Sequence, residues 1–290
     1  MSTLQAICTN PALYRVNIPL NITFLAPKSS GWAAIIPRLP AESTACEALI
    51  SERILPFPKQ ARRLLVQEFW TGNIESVVDD KRNDHCLIRP YLGRRRCRRQ
   101  SGPRTGQSMF KSISLRNYPL HIDQVEHLGL PAEEYALAMA DALAFLHWAA
   151  KIDANDIEFV LARPRDMPAA ITRPRIGDKE FTPGVLGPHD MWILDFDCCK
   201  TLDMNAEGIE VAVERFWRND PFYPNPDCKC PEDERLWRVF CDRYLETSGL
   251  FLHDERDEIR RLPKMLVARI VATVGAYKRG ANYALGQWKK

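Results

Sequence analysis

Residues 143–161 read Leu143-Ala-Phe-Leu-His147-Trp-Ala-Ala-Lys151-Ile-Asp153-Ala-Asn155-Asp156-Ile-Glu158-Phe-Val-Leu161, and residues 191–197 read Met191-Trp-Ile-Leu194-Asp195-Phe196-Asp197. The first stretch carries the end of an apolar helix into a polar turn and then into a short apolar strand. The second is another short apolar strand, closed by two acids around a phenylalanine. Strands at 157–162 and 191–196 read as a hairpin with a long insert between them. Acids at the paired ends then meet: Asp153, Asp156 and Glu158 from one stretch, Asp195 and Asp197 from the other. Phe159 and Phe196 pack inward while the acids face a cleft. The insert, Arg163 to Asp190, holds Pro164, Pro168, Pro174, Pro183 and Pro188 and reads as a loop.

Upstream, residues 131–150 carry the strongest helix signal. Pro131 suits the first helical position, and Glu133 and Glu134 favour the first turn through the helix dipole. Met139, Leu143 and Leu146 fall on one packed stripe. Residues 13–24 alternate from Tyr14 to Phe24 and read as one edge-type strand, since Pro19 is tolerated only at an edge. Residues 45–55 and 58–70 read as helices and 86–92 as a short strand. Gly93 to Ser108 reads as a mobile basic loop. Downstream, three helices are predicted around 206–218, 231–247 and 262–284. The expected fold is α+β in two lobes, an N-terminal lobe over 1–114 and a helical C-terminal lobe over 115–290 that carries the carboxylate cleft.

The chain has 290 residues, 46 % hydrophobic and 27 % charged, an ordinary globular composition. No apolar run is long enough to span a membrane. Met1 to Asn10 shows no secretory signal. Nine cysteines without such a signal point to a reducing compartment and free thiols, hence to the cytoplasm. The net charge of +3 is unevenly spread. Between Asp84 and Asp123 there are nine basic residues and no carboxylate, and after Glu258 eight more, again without an acid. Such a division attracts a polyanion to one part of the surface and a cation to another.

The order helix, Leu-His, Asp, acid and strand-Asp-Phe resembles the C-terminal lobe of protein and small-molecule kinases. That resemblance puts Asp153 on the catalytic Asp, Glu158 on the metal-binding Asn and Asp195-Phe196-Asp197 on the Asp-Phe-Gly motif. Lys151-Ile152 stands where His-Arg is usual, and no glycine-rich phosphate loop precedes it. A longer resemblance spans about 85–250. It is carried by Cys86-Leu-Ile-Arg89-Pro-Tyr-Leu-Gly-Arg94-Arg95, Leu115-Arg-Asn-Tyr-Pro-Leu120, Ala138-Met-Ala-Asp-Ala-Leu-Ala-Phe-Leu-His-Trp148, Ile152-Asp-Ala-Asn-Asp-Ile-Glu-Phe-Val160 and Trp192-Ile-Leu-Asp-Phe-Asp197. These strings resemble a filamentous-fungal family of zinc-finger-like or uncharacterised proteins that includes arginine-containing cyclodipeptide synthases. The resemblance implies a transferase that joins arginine, from arginyl-tRNA, to a second aminoacyl-tRNA-derived amino acid as a diketopiperazine. A kinase-like phosphotransferase and a non-catalytic pseudokinase-like interaction module are the alternatives.

The residues can serve that chemistry. Arg94, Arg95, Arg96, Arg98 and Arg99 can neutralise tRNA phosphates; DNA and membranes are not expected partners. A guanidinium is best held by carboxylates, and Asp153 and Asp156, with His147 as a proton carrier, form the substrate-binding set. Asp195, Glu158 and Asp197 form the catalytic set, because a carboxylate among carboxylates has a raised pKa and can act as a base. No cofactor is expected beyond the aminoacyl-tRNA substrates, although Mg²⁺ could enter the acid cluster. Cys198 and Cys199 read as inert thiols beside an acid. Cys228-Lys-Cys230 has too short a spacer for a usual structural zinc site, so no metal ligand is assigned.

Overall fold

The computed structural model describes residues 10–96, 113–165, 174–219 and 221–276. In chain order the strands are β1 (Val16–Asn17), β2 (Asn21–Leu25), β3 (Ala48–Ser51), β4 (Ile88–Tyr91), β5 (Tyr118–His121), β6 (Glu158–Ala162), β7 (Arg175–Ile176) and β8 (Asp190–Leu194). The helices are α1 (Trp32–Ile35), α2 (Lys59–Phe69), α3 (Ile74–Val78), α4 (Ile122–His127), α5 (Ala132–Ala144), α6 (Ala206–Arg218), α7 (Pro231–Phe251), α8 (Asp257–Arg260) and α9 (Leu262–Ala272). The fold is α+β. A six-stranded sheet runs in the order β5-β4-β6-β8-β1-β7, and β2 pairs with β3 in a separate ribbon. Strands from both sides of residue 114 share the large sheet.

The expected pairing forms at the centre of that sheet. β6 runs antiparallel to β8, with Glu158 opposite Leu194 and Ala162 opposite Asp190. Alternation sends Phe159, Leu161, Met191 and Ile193 into the main core, and Val160, Ala162 and Trp192 to a smaller cluster with Ile54, Leu87 and Leu194. The main core is built around α5. Its alanines are small enough for α7 to approach closely, and the helix is buried on nearly every side. A buried acid in such a helix needs partners. Asp141 has them: Arg243 Nε donates at 2.6 Å, Thr247 Oγ1 at 2.6 Å and the Tyr14 amide at 3.0 Å.

Several expectations need correction. Residues 13–24 are not one strand, because the chain breaks at Pro19, which has no N–H for a ladder. Nor is β1 an edge: it lies parallel to β8 and antiparallel to β7. Residues 45–55 form no helix. Ala48–Ser51 is extended and pairs with β2, Leu49 facing Phe24, so tertiary pairing overrides a weak local preference. Pro131 is the N-cap of α5 rather than its first residue. That helix gives way at Phe145–Ala149 to a π turn, closed by the Ala150 amide on the Phe145 carbonyl at 2.9 Å. The insert between β6 and β8 contributes the edge strand β7. The α7 helix runs on to Phe251, whereas α9 ends at Ala272. The basic loop beyond Arg96 and the chain beyond residue 276 lie outside the described residues. No helix among the described residues is long and apolar enough to cross a membrane.

Candidate functional site

The β6–β8 register places the acids. Glu158 pairs with Leu194, so Asp195, one residue further, stands at the same end of the sheet. The turn that delivers Asp156 to this end is tightly wound. Lys151, Ala154, Asp156 and Asp195 all adopt left-handed backbone, with φ of 54°, 50°, 63° and 70°. Non-glycine residues pay for that conformation and keep it only where the surroundings over-determine it. Here they do. The Asp153 amide donates to the Lys200 carbonyl at 2.9 Å, and the Leu202 amide to the Lys151 carbonyl at 2.8 Å. Asn219, buried at the end of α6, accepts the Asp156 amide and donates to the Ala154 carbonyl, both at 2.9 Å.

The electrostatics separate the acids into two kinds. Asp153 is buried and held: its Oδ1 accepts the Lys200 amide at 2.9 Å and the Asn155 amide at 3.2 Å, and Arg215 Nε lies 3.4 Å from Oδ2. Asp156, Asp195 and Asp197 are exposed. Partial desolvation of its carboxyl, a hydrogen bond with Asp197, and the charges of Asp197, Glu158 and Asp156 push Asp195 up to about 6. Asp195 therefore keeps its proton into mildly acidic solution. Glu158, half-buried, is ion-paired with Arg89 of β4. Burial and neighbouring carboxylates push the Cys199 thiol up to about 12, and Cys198 also rises. Neither thiol is a poised nucleophile.

The structure thus brings Asp156, Glu158, Asp195 and Asp197 together. It does not bring His147 to them. That ring is enclosed in the core with Nδ1 2.9 Å from the Tyr244 hydroxyl, and burial lowers its pKa to about 3. The substrate contact and proton relay expected of His147 are not available from there. Asp153, too, faces its own loop and Arg215 rather than solvent. In the arginine run, Arg95 forks onto Glu126 and Asp233, and Arg96 Nε donates to Asp123 at 2.9 Å. These two guanidinium groups, expected to meet tRNA phosphates, are bound to carboxylates of α4 and α7. Arg98 and Arg99 lie outside the described residues, and Arg94 accepts the Ile122 amide through its carbonyl. Sequence reasoning missed Arg89 and Arg215 as partners of the acids. Alternation along 86–92 separates Arg89 from Ile88 and could have flagged it; nothing local marks Arg215.

Against known proteins, a family profile described as zinc finger protein matches residues 191–256, from β8 to the end of the loop after α7. The match covers the two acids after β8 but not the turn before β6. No curated protein and no solved structure matches the chain. Among the described residues no group of three or more His, Cys, Asp or Glu side chains is placed to hold a metal ion. Within the matched span Cys241 is buried in the core, while Cys228 and Cys230 stand as free thiols near the start of α7.

Proposed function

We propose that this protein is a transferase acting on amino groups, and specifically an aminoacyl-tRNA-dependent cyclodipeptide synthase that uses arginine. One observation carries the acid–base part: Asp195, with a pKa near 6, stands among Asp156, Glu158 and Asp197, and among the described residues no Lys or Arg bridges Asp156, Asp195 or Asp197. An uncompensated acidic group attracts a guanidinium or an α-ammonium. Ionised Asp195 then accepts a proton from the α-ammonium. The freed amine attacks the ester carbonyl of the second aminoacyl-tRNA. A C–N bond forms, the ester C–O bond breaks, and the ribose hydroxyl leaves with a proton. The same attack, now intramolecular, closes the six-membered ring. The arginine and tRNA parts rest on the sequence resemblance. A cytoplasmic location goes with this reading, because charged tRNA and reduced thiols occur together there.

The kinase-like alternative draws less support, because Asp153, its aligned catalytic acid, is buried against backbone amides and Arg215. The deciding experiment is mass spectrometry of small molecules from a host expressing this chain alone, with Asp195→Asn as control. An arginine-containing diketopiperazine that vanishes in the control supports the proposal. Its absence, together with Mg²⁺-dependent nucleotide turnover, favours the phosphotransferase. Absence of both favours a non-catalytic interaction module.

A further inference from the structure

Of the described arginines between Asp84 and Asp123, Arg89 pairs with Glu158, and Arg95 and Arg96 are bound to α4 and α7. Arg116 stands apart from them, beside the basic residues that precede β4. β4 and β5 run parallel, with Ile88 opposite Tyr118, so the segments leading into them lie side by side. The 3-10 turn Lys81–His85 leads into β4, and residues 113–117 lead into β5. Buried Asn83 joins the two. Its Oδ1 accepts the Leu115 amide and its Nδ2 donates to the Val77 carbonyl, both at 2.8 Å. Between these segments lies an open surface pocket of about 440 Å³, lined by the exposed residues Lys81, Arg82, His85, Ser114 and Arg116. That volume lies in the roughly 300–1,000 Å³ range of small-molecule clefts.

Among the described residues, every ionisable group in the lining is basic. Arg82 is paired with Asp80 at 2.6 Å, and Asp84 with Arg62 at 2.7 Å. Neither Lys81 nor Arg116 is bridged to a carboxylate among the described residues. Arg53 donates to Nδ1 of His85 at 3.0 Å, which leaves Nε2 as the proton-bearing nitrogen. Ser114 Oγ accepts the Arg116 amide at 3.3 Å and keeps its own proton to donate. The lining therefore offers an ammonium, a forked guanidinium, an imidazole N–H and a hydroxyl. This set is rich in donors and poor in acceptors. It suits an anion with several oxygens and more than one charge. A carboxylate, with two oxygens and a single charge, would leave Lys81 and Arg116 only partly compensated.

We propose that this pocket is a phosphate-binding site, which takes the phosphate of a small phosphorylated molecule or of a polynucleotide backbone. It is separate from the acidic end of the sheet, and its test does not depend on the transfer reaction. The probes are inorganic pyrophosphate and a 12-base-pair RNA duplex, titrated calorimetrically into the full chain. The comparison is between the natural protein, the double variant Lys81→Gln/Arg116→Gln and the distant control Lys264→Gln. An unchanged thermal midpoint without ligand verifies that the double variant is folded. We expect at least one probe to lose tenfold or more in affinity in the double variant and none in the control. Loss for pyrophosphate assigns the site to a small phosphorylated molecule. Loss confined to RNA, with a salt slope smaller by about 0.7–0.9 per contact removed, assigns it to a backbone. Equal affinities in the natural protein and the double variant, or no binding of either probe to the natural protein, would overturn the proposal.

Discussion

The carboxylate of Asp153 accepts the backbone amide of Lys200 at 2.9 Å and so ties the turn before β6 to the loop after β8. Arg215 of α6 closes on the other oxygen. Removing the acid leaves a half-buried guanidinium and two amides without their acceptor. Asp153→Ala should therefore cost about 3–5 kcal/mol, read as a lowered urea midpoint. Asp153→Asn, which keeps an acceptor oxygen, should cost less. A variant that folds normally but makes no product would instead make Asp153 a substrate contact.

Asp195 offers a test by pH. Its folded-state pKa, about 6, lies above the ordinary value of 3.8. The native fold thus prefers the protonated acid. That preference is fully present below pH 3.8 and is lost as pH rises through 6. At pH 7.5 Asp195→Asn should melt slightly higher than the natural protein, by roughly 1–2 °C after solvent screening of an exposed group. At pH 4 the difference should vanish. If Asp195 is the base, product formation should rise through pH 6 and be abolished in the variant at every pH. Retained synthesis in Asp195→Asn would remove it from the mechanism.

The acids of this site were legible because strand periodicity and the Asp-Phe-Asp ending are local. Residues 157–162 and 191–196 read as paired strands, and β6 does pair with β8; the register itself comes from the structure. What each acid does was not legible. Asp153 and Asp195 look alike in sequence, yet Arg215, sixty-two positions away from Asp153, pairs with one, and among the described residues no Lys or Arg is bridged to the other. His147 ends an apolar helix, and only the π turn and Tyr244 decide that it faces the core. The run 45–55 failed for the same reason: its strand is made by β2, not by its own residues.

Arg95 distinguishes a structural arginine from a phosphate contact. Its guanidinium forks onto Glu126 and Asp233, and those bonds raise its already high pKa. Arg95→Gln should cost about 1–3 kcal/mol through lost charged hydrogen bonds. The loss should shrink in high salt, since Glu126 reaches solvent. The salt slope of tRNA affinity should not change. A slope reduced without any loss of stability would return Arg95 to the nucleic-acid surface.

Arg89 and Glu158 make the last test, because the pair sets how much negative charge Asp195 feels. Both side chains are about three-quarters buried, at 23 % and 22 % exposure. Glu158 is one of the charges that raise Asp195, and Arg89 is ion-paired with Glu158 and so opposes that charge. Arg89→Gln should leave Glu158 uncompensated, so that Asp195 holds its proton to higher pH. The midpoint of the pH–rate profile should then move up from about 6 by some tenths of a unit. Glu158→Gln should move it down by a similar amount. The double variant should fall near the natural value, the signature of two charges acting on a third through one another. If Glu158 also grips the substrate's cation, Glu158→Gln should raise KM as well, and the double variant should recover the pH midpoint without recovering KM. Opposite midpoint shifts in the single variants would establish the electrostatic coupling; identical profiles in all four proteins would show that the Arg89–Glu158 pair only holds β4 to β6.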